Sequence, residues 1–145
     1  MNDNIELIKH IYKDAEMARY TLRNLLQDLK EKDNKIKAKI EEILEKYEDY
    51  IKDTKAYLLE NKVEPEEEGM MAKMGADMGI KKEVKADNSD ASIADMLIKG
   101  VSMGSIDMEK KIKDYKESAN KETLKLAHSF LKFQQQQIED LKKYL

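Results

Sequence analysis

The segment from residue 4 to residue 30 reads NIELIKHIYKDAEMARYTLRNLLQDLK, and its apolar side chains recur at intervals of three or four residues. This spacing places them on one face of an α-helix and leaves the charged side chains on the other. Asp3 and Glu6 can form a capping box at its start. The apolar face consists of Ile8, Ile11, Ala15, Ala18, Leu22, Leu25 and Leu29. The segment predicts an amphipathic helix that packs against other helices.

Three further segments carry the same periodicity, which predicts helices over about 34–61, 90–118 and 121–145. Between the second and third of the four predicted helices, residues 62–89 contain the only proline, three glycines and an acidic run, and the periodicity stops. A short helix over 69–80 fits within this segment. Because so long a connection is uncommon in a compact domain, we expect it to cross over the bundle or to lie on it as a lid.

The order of the connections, short, long and short, predicts one all-α domain over residues 1–145, a four-helix bundle with one long crossover between its second and third helices. A helix of about 27 residues is roughly 40 Å long, and an extended segment of similar residue number reaches about 90 Å. The crossover is therefore sterically feasible. Simple up-down-up-down topology is the alternative.

Composition excludes several classes of function. Since there is no cysteine, disulfides and cysteine-based metal sites are absent. The 27 basic and 30 acidic residues are interleaved, so nucleic acid is not an expected partner. The N-terminal residues lack the pattern of a signal peptide, and no apolar run approaches the roughly 20 residues that span a bilayer. We expect a cytoplasmic protein without membrane contact.

Residues 96–104, with the sequence MLIKGVSMG, resemble the third-helix pattern of the ferritin-like superfamily, in particular its small bacterial members of unassigned function. The resemblance extends to the helix order over nearly the whole chain. It implies the four-helix bundle with a crossover described above. Similarity of fold does not by itself carry an activity from one protein to another.

The ligand pattern of ferritin-like di-iron enzymes is not present. Those enzymes use two Glu-x-x-His pairs, whereas the only histidines here are His10 and His128, and neither has a glutamate three residues before it. No cofactor is predicted. An irregular set of Glu16, Asp107 and His128, binding iron or manganese, is the alternative; the competing interpretation is surface charge beside a marginal histidine.

A polar layer is expected at mid-height of the bundle. Arg19 and Asp107 lie near the middle of their predicted helices and flank the apolar faces, so they can pair across the bundle. A buried pair needs further hydrogen bonds, which Tyr47 and Tyr50 could supply. In the alternative interpretation, the two charges reach separately to solvent.

The fourth predicted helix carries a second apolar row about 100° from its core-facing row. The row consists of Leu126, Phe130, Phe133 and Tyr144. A row of this kind should be covered by the crossover segment or by another subunit. It predicts an interaction surface for a homo-oligomer or a protein partner.

Small residues at mid-height predict a local deficit of side-chain volume. Ala15, Ala18, Gly100 and Gly104 fall there, and close-packed interiors require that such volume be recovered. We expect tyrosines of the second helix to fill it, with the neighbouring position Ser105 facing away from the core. The alternative is an open pocket beside the glycines.

Three functions remain open. Because no nucleophile elbow, phosphate-binding loop or calcium loop is present, the leading expectation is a non-enzymatic bundle that works through self-association or a protein partner. A role in stress or dormancy is implied only by the resemblance. The alternatives are an iron- or manganese-dependent oxidoreductase or metal-binding protein with an atypical site, and a bundle that binds a small ligand.

Overall fold

A computed structural model describes residues 2–145, which contain five helices and no strand. The helices are α1 (Asp3–Asp28), α2 (Ile36–Glu60), α3 (Met70–Ala86), α4 (Asp90–Tyr115) and α5 (Lys121–Lys142). The all-α prediction is confirmed. The additional helix, α3, lies in the segment predicted as crossover or lid. None of the five is long and apolar enough to cross a bilayer.

Polar side chains mark the helix starts. The side chains of Asn2, Ser89 and Asn120 each accept a hydrogen bond from a backbone N–H in the first turn of α1, α4 and α5. Such caps satisfy donors that have no partner within the helix. The cap of α1 is Asn2 where the sequence suggested Asp3, which instead opens the helix. Each of the three helices thus begins where a cap residue permits it.

The start of α2 is capped by another helix. Its own preceding residue provides no side-chain cap. Instead, the Asp90 carboxylate accepts from the backbone N–H groups of Lys35 and Ile36, at 3.2 and 3.4 Å, and from the Asn34 side chain at 2.9 Å. These bonds fix the start of α4 beside the start of α2. At the other end, the Asn120 backbone N–H donates to the Asn4 side chain at 2.7 Å.

The core is continuous along the helices. α1 packs most extensively against α2, and α4 against α5, while α3 lies mainly on α1. Each fully buried large apolar side chain contributes about 1.5 to 3 kcal/mol. The largest fully buried side chains are Leu7, Ile8, Ile11, Leu25, Leu29, Ile36, Ile40, Leu58, Ile93, Met108, Phe130 and Leu141.

Candidate functional site

A cavity of about 360 Å³ lies between α1, α4 and α5, with α2 and α3 at its margins. Most of its lining is apolar, and the polar residues are few. The lining includes Met17, Ala18, Leu22, Ile43, Ala76, Ile80, Met96, Leu97, Gly100, Val101, Gly104 and Leu141, with Asp14, Thr21, Tyr47, Gln134 and Gln137 as the polar members. Large apolar lining with a few placed polar groups is typical of small-molecule sites.

Small residues leave this space open. A Cβ added at Gly100 would meet nothing within 4 Å, whereas one at Gly104 would lie 3.1 Å from Gln134 Nε2. Tyr47 is buried and borders the cavity, so tyrosine filling occurs in part. Tyr50 is directed elsewhere, with its hydroxyl 2.6 Å from that of Ser129. The expectation that tyrosines fill the whole deficit is therefore wrong, and the alternative of an open pocket describes the Gly100 side.

Gln134 forms the polar end of the cavity. Its residue is 2% exposed, and its Nε2 donates to Asp14 Oδ2 at 3.1 Å. Its Oε1 is buried and has no hydrogen-bond partner among the described residues. Leaving a buried acceptor unpaired costs about 1 to 3 kcal/mol.

A second buried amide lies nearby on the same helix. Gln137 Nε2 donates to the Tyr47 hydroxyl at 2.9 Å, and both side chains are buried. Burial raises the pKa of Tyr47, and the hydrogen bond from Gln137 opposes this shift only in part. The tyrosine is therefore neutral, and its side chain, held by the bond from Gln137, forms part of the cavity lining.

Among the described residues, Asp14 supplies the only carboxylate of the cavity lining. Burial raises its pKa above the ordinary value; the charge of His10 and the bond from Gln134 act against this, and Asp107 and Glu68 reinforce it. No lysine or arginine belongs to the lining formed by the described residues. The polar end thus presents hydrogen-bond acceptors and negative charge.

The polar side chains at mid-height of the bundle form other ion pairs and hydrogen bonds than those predicted. Asp107 Oδ2 lies 3.2 Å from His10 Nε2, and the described residues include no ion pair between Asp107 and Arg19. Neither Tyr47 nor Tyr50 bonds to these charges. The layer instead contains the Asp14–Gln134 and Tyr47–Gln137 bonds given above. The pairing of Arg19 with Asp107 was a wrong prediction, because the half-buried His10 on α1 lies nearer to the carboxylate of Asp107.

The weak metal-ligand set is not brought together. Glu16 Oε1 is bonded to Lys73 Nζ at 2.9 Å, Asp107 lies against His10, and His128 is exposed. Over residues 2–145, no group of three or more histidine, aspartate or glutamate side chains is placed to hold a metal ion. The set of Glu16, Asp107 and His128 therefore provides no site in this arrangement.

The second apolar row of α5 lies largely inside the fold. Phe130 and Phe133 are 0% and 8% exposed, and their ring centroids lie 4.8 to 6.1 Å from those of Tyr47 and Tyr50. The partly buried Leu126 and Tyr144 also pack on the core. The row is covered by α2, so its prediction as an interaction surface fails at the two phenylalanines. The buried face of α5 is centred nearer Phe130 and Gln137 than the periodicity indicated.

α3 is anchored to α1 by a buried lysine. Lys73 Nζ lies 2.9 Å from Glu16 Oε1, 2.7 Å from Glu67 Oε1 and 5.3 Å from the ring centroid of Tyr20. The Lys73 and Glu16 side chains are only 10% and 5% exposed. Hydrogen bonds from Lys73 to Glu67 and then to Glu16 raise the lysine pKa. Farther along α3, Ala76 and Ile80 line the cavity, so the helix covers one side of it.

The sequence predicted the small residues that border the cavity, whereas Asp14 and Lys73 were not predicted. Asp14 falls one turn before Ala18, on the same face, and one turn after His10. This shared face could have identified Asp14 as a cavity residue from the sequence. Lys73 gave none, because a lysine in a short methionine-rich segment ordinarily lies in solvent.

Comparisons with known protein families, with curated proteins and with solved structures find no match to this chain.

Proposed function

We propose that this protein is a non-enzymatic bundle that binds a small, largely apolar molecule in the cavity between α1, α4 and α5. The observation that carries the proposal is a cavity of about 360 Å³ with a mostly apolar lining, in which the Asp14 carboxylate and the Gln134 amide are among the few polar groups. Each helical glycine costs about 1 kcal/mol relative to alanine. A role for the cavity beside the exposed Gly100 and the partly buried Gly104 accounts for that cost.

The volume limits the size of the ligand. An apolar cavity of about 150 Å³ holds benzene. A cavity of about 360 Å³ therefore suits a molecule of roughly 10 to 15 non-hydrogen atoms. Peptides and nucleotides exceed this range, so the expected ligand is a single-ring or short-chain compound.

A ferritin-like arrangement is part of the proposal. In it, α1, α2, α4 and α5 form the four-helix bundle, and α3 belongs to a long crossover between α2 and α4. Two contacts support it: the Asp90 cap at the start of α2, and the bond from Asn120 to Asn4. They favour parallel α2 and α4 over the up-down-up-down alternative.

Thermal unfolding with phenethyl alcohol tests the binding function. A ligand at about ten times its Kd stabilises by about 1.4 kcal/mol, which raises the Tm of a domain of this size by about 3 to 6 °C. We expect this rise in the wild type. Gly100→Leu fills the open space with a side chain and should abolish the rise.

Gly79→Leu is the matched control, because Gly79 also has open space around its Cβ but does not line the cavity. It gains the same helix propensity and should keep the response to the alcohol. No rise in the wild type, or an equal rise in all three proteins, would overturn the proposal.

Association with a second copy or a protein partner is the second candidate function. The observation that favours it is a set of exposed methionines on α3, with Met71 at 89% exposure. The others are Met70, Met74 and Met78. Light scattering over a range of concentrations should then report a mass above that of one chain. Replacing Met71 and Met78 with glutamine should return it to the monomer mass; a monomer at every concentration contradicts self-association.

A further inference from the structure

The unpaired atom at the polar end of the cavity is fixed as an acceptor. The Nε2 group of Gln134 faces the Asp14 carboxylate, to which it donates. Turning the amide over would direct Oε1 at a carboxylate oxygen, an acceptor facing an acceptor. The orientation with Oε1 free is therefore the favourable one, and Nε2 remains bonded to the Asp14 carboxylate.

Among the described residues, Asp14 itself forms no ion pair with a lysine or arginine. Asp107 and Glu68 raise its pKa from neighbouring positions, although Glu68 also lies 4.0 Å from Lys13 Nζ. His10 lies nearby, with its Nε2 against Asp107, and is positive only when protonated. An anionic ligand would add like charge here, and a neutral one would leave the Asp14 charge uncompensated in a partly desolvated site.

We infer that the ligand is an apolar amine whose ammonium group donates to the Asp14 carboxylate in the cavity lining. This inference rests on the proposed binding function and specifies the class of ligand. An ammonium group has three donors and no acceptor, which matches a site of acceptors. The apolar body then lies along Ala18, Leu97 and Gly100, where the lining offers contact surface and no further charge.

Calorimetric titration with three probes of one apolar body tests the inference. Phenethylamine, phenethyl alcohol and phenylacetate differ only in a cationic, neutral or anionic head group. At neutral pH we expect the amine to bind the wild type at least tenfold more tightly than the alcohol, and the acetate to bind most weakly. A charge-assisted bond is roughly twice as strong as a neutral one.

Asp14→Asn should reduce the preference for the amine over the alcohol to about twofold or less, because the variant side chain carries no charge. Asp28→Asn is the control, since Asp28 lies on the same helix, is bonded to Lys81 and does not line the cavity. It should keep the full preference.

The pH profile of the wild type gives a readout that does not depend on any variant. Phenethylamine affinity should fall as the pH is lowered and Asp14 becomes protonated, while alcohol affinity stays level. If the alcohol binds as tightly as the amine, and Gly100→Leu blocks both, the amine inference is overturned and the binding function stands. If none of the three probes binds, both are overturned.

Discussion

Ionisation of Asp14 is less favourable in the folded protein than in the unfolded chain. Burial raises its pKa above 3.8, so the folded chain holds this proton more tightly than the unfolded chain does. The protonated carboxyl therefore contributes stability that is fully present below the unfolded pKa and is lost as the pH rises through the folded pKa. At neutral pH the ionised side chain remains partly desolvated without a fixed cation beside it.

Asp14→Asn should accordingly raise the Tm at neutral pH, because the amide keeps an oxygen for the bond from Gln134 and removes the charge. The difference from the wild type should shrink near pH 3, where both side chains are neutral. Thermal unfolding at the two pH values measures this. A variant that is less stable than the wild type at neutral pH would show that the Asp14 charge stabilises the fold.

The two cavity glycines differ in the space around them. Gly100→Ala should increase the free energy of unfolding by about 1 kcal/mol, since its methyl group enters open space and helix propensity improves. Gly104→Ala should gain less, because Gln134 Nε2 must shift by a few tenths of an ångström. Urea denaturation compares the two. Equal gains would mean that Gln134 does not press on position 104.

At the residue scale, the small side chains at Gly100 and Gly104 indicated missing volume, but the expectation that tyrosines fill it held only for Tyr47. The polar partners could not be predicted, because hydrogen bonds depend on distances between helices that periodicity does not give. Ser105, expected to face away from the core, is 6% exposed and donates to the Ser102 carbonyl oxygen.

At the scale of the element, periodicity placed α1, α2, α4 and α5 close to their observed bounds but set the phase of α5 wrongly. Gln134 and Gln137 are buried polar residues on its inner face, which a pattern of apolar side chains underweights. α3 was seen only as a short helix over 69–80, because its methionines lie mostly on the exposed face and its inner face holds a lysine. Burial of Lys73 depends on Glu16, 57 residues away.

The lysine anchor predicts where the fold opens first. Lys73→Met removes the cation that is bonded to Glu16. An unpaired buried charge is costly, and water reaches the Glu16 carboxylate only if α3 separates from α1. Amide hydrogen exchange should therefore become faster in α3 and stay unchanged in the central turns of α2 and α5. Lys81→Met removes the ion pair with Asp28, in which the lysine is half exposed, and should change the exchange rates little. Equal effects of the two variants would exclude a special role for Lys73.

The stabilisation by the Lys73 anchor is lost at both low and high pH. The hydrogen bond from Lys73 lowers the Glu67 pKa below 4.5, so this contribution is present above that value and is lost as the pH falls through the lowered pKa. The Lys73 contribution is present below 10.5 and is lost as the pH rises through the raised pKa. Exchange in α3 should be slowest between these limits. A level profile from pH 3 to neutral pH would contradict the anchor.

At the scale of the whole molecule, the proposed crossover determines which helix ends meet. α2 is 25 residues long, about 37 Å at its usual rise per residue. With α2 and α4 parallel, the exposed positions Leu59 and Ala91 lie at opposite ends, roughly 35 Å apart. The chain has no cysteine, so single-cysteine labels are specific.

Spin-label distances between positions 59 and 91 should therefore be long, whereas positions 35 and 91 should be close, as the Asp90 cap requires. A 59 to 91 distance below about 20 Å would reject the crossover and favour up-down-up-down topology.

The most direct test of ligand binding in the cavity uses the five glycines of the chain as reporters. Protein labelled with nitrogen-15 only at glycine gives a spectrum simple enough to assign by substitution, and Gly100 and Gly104 are the two that line the cavity. On titration with phenethylamine, both signals should shift and saturate together, while Gly69, which lies before α3 and outside the lining, should not move. If Gly100 and Gly104 stay in place, or if all five signals drift in parallel without saturation, the cavity is not a binding site.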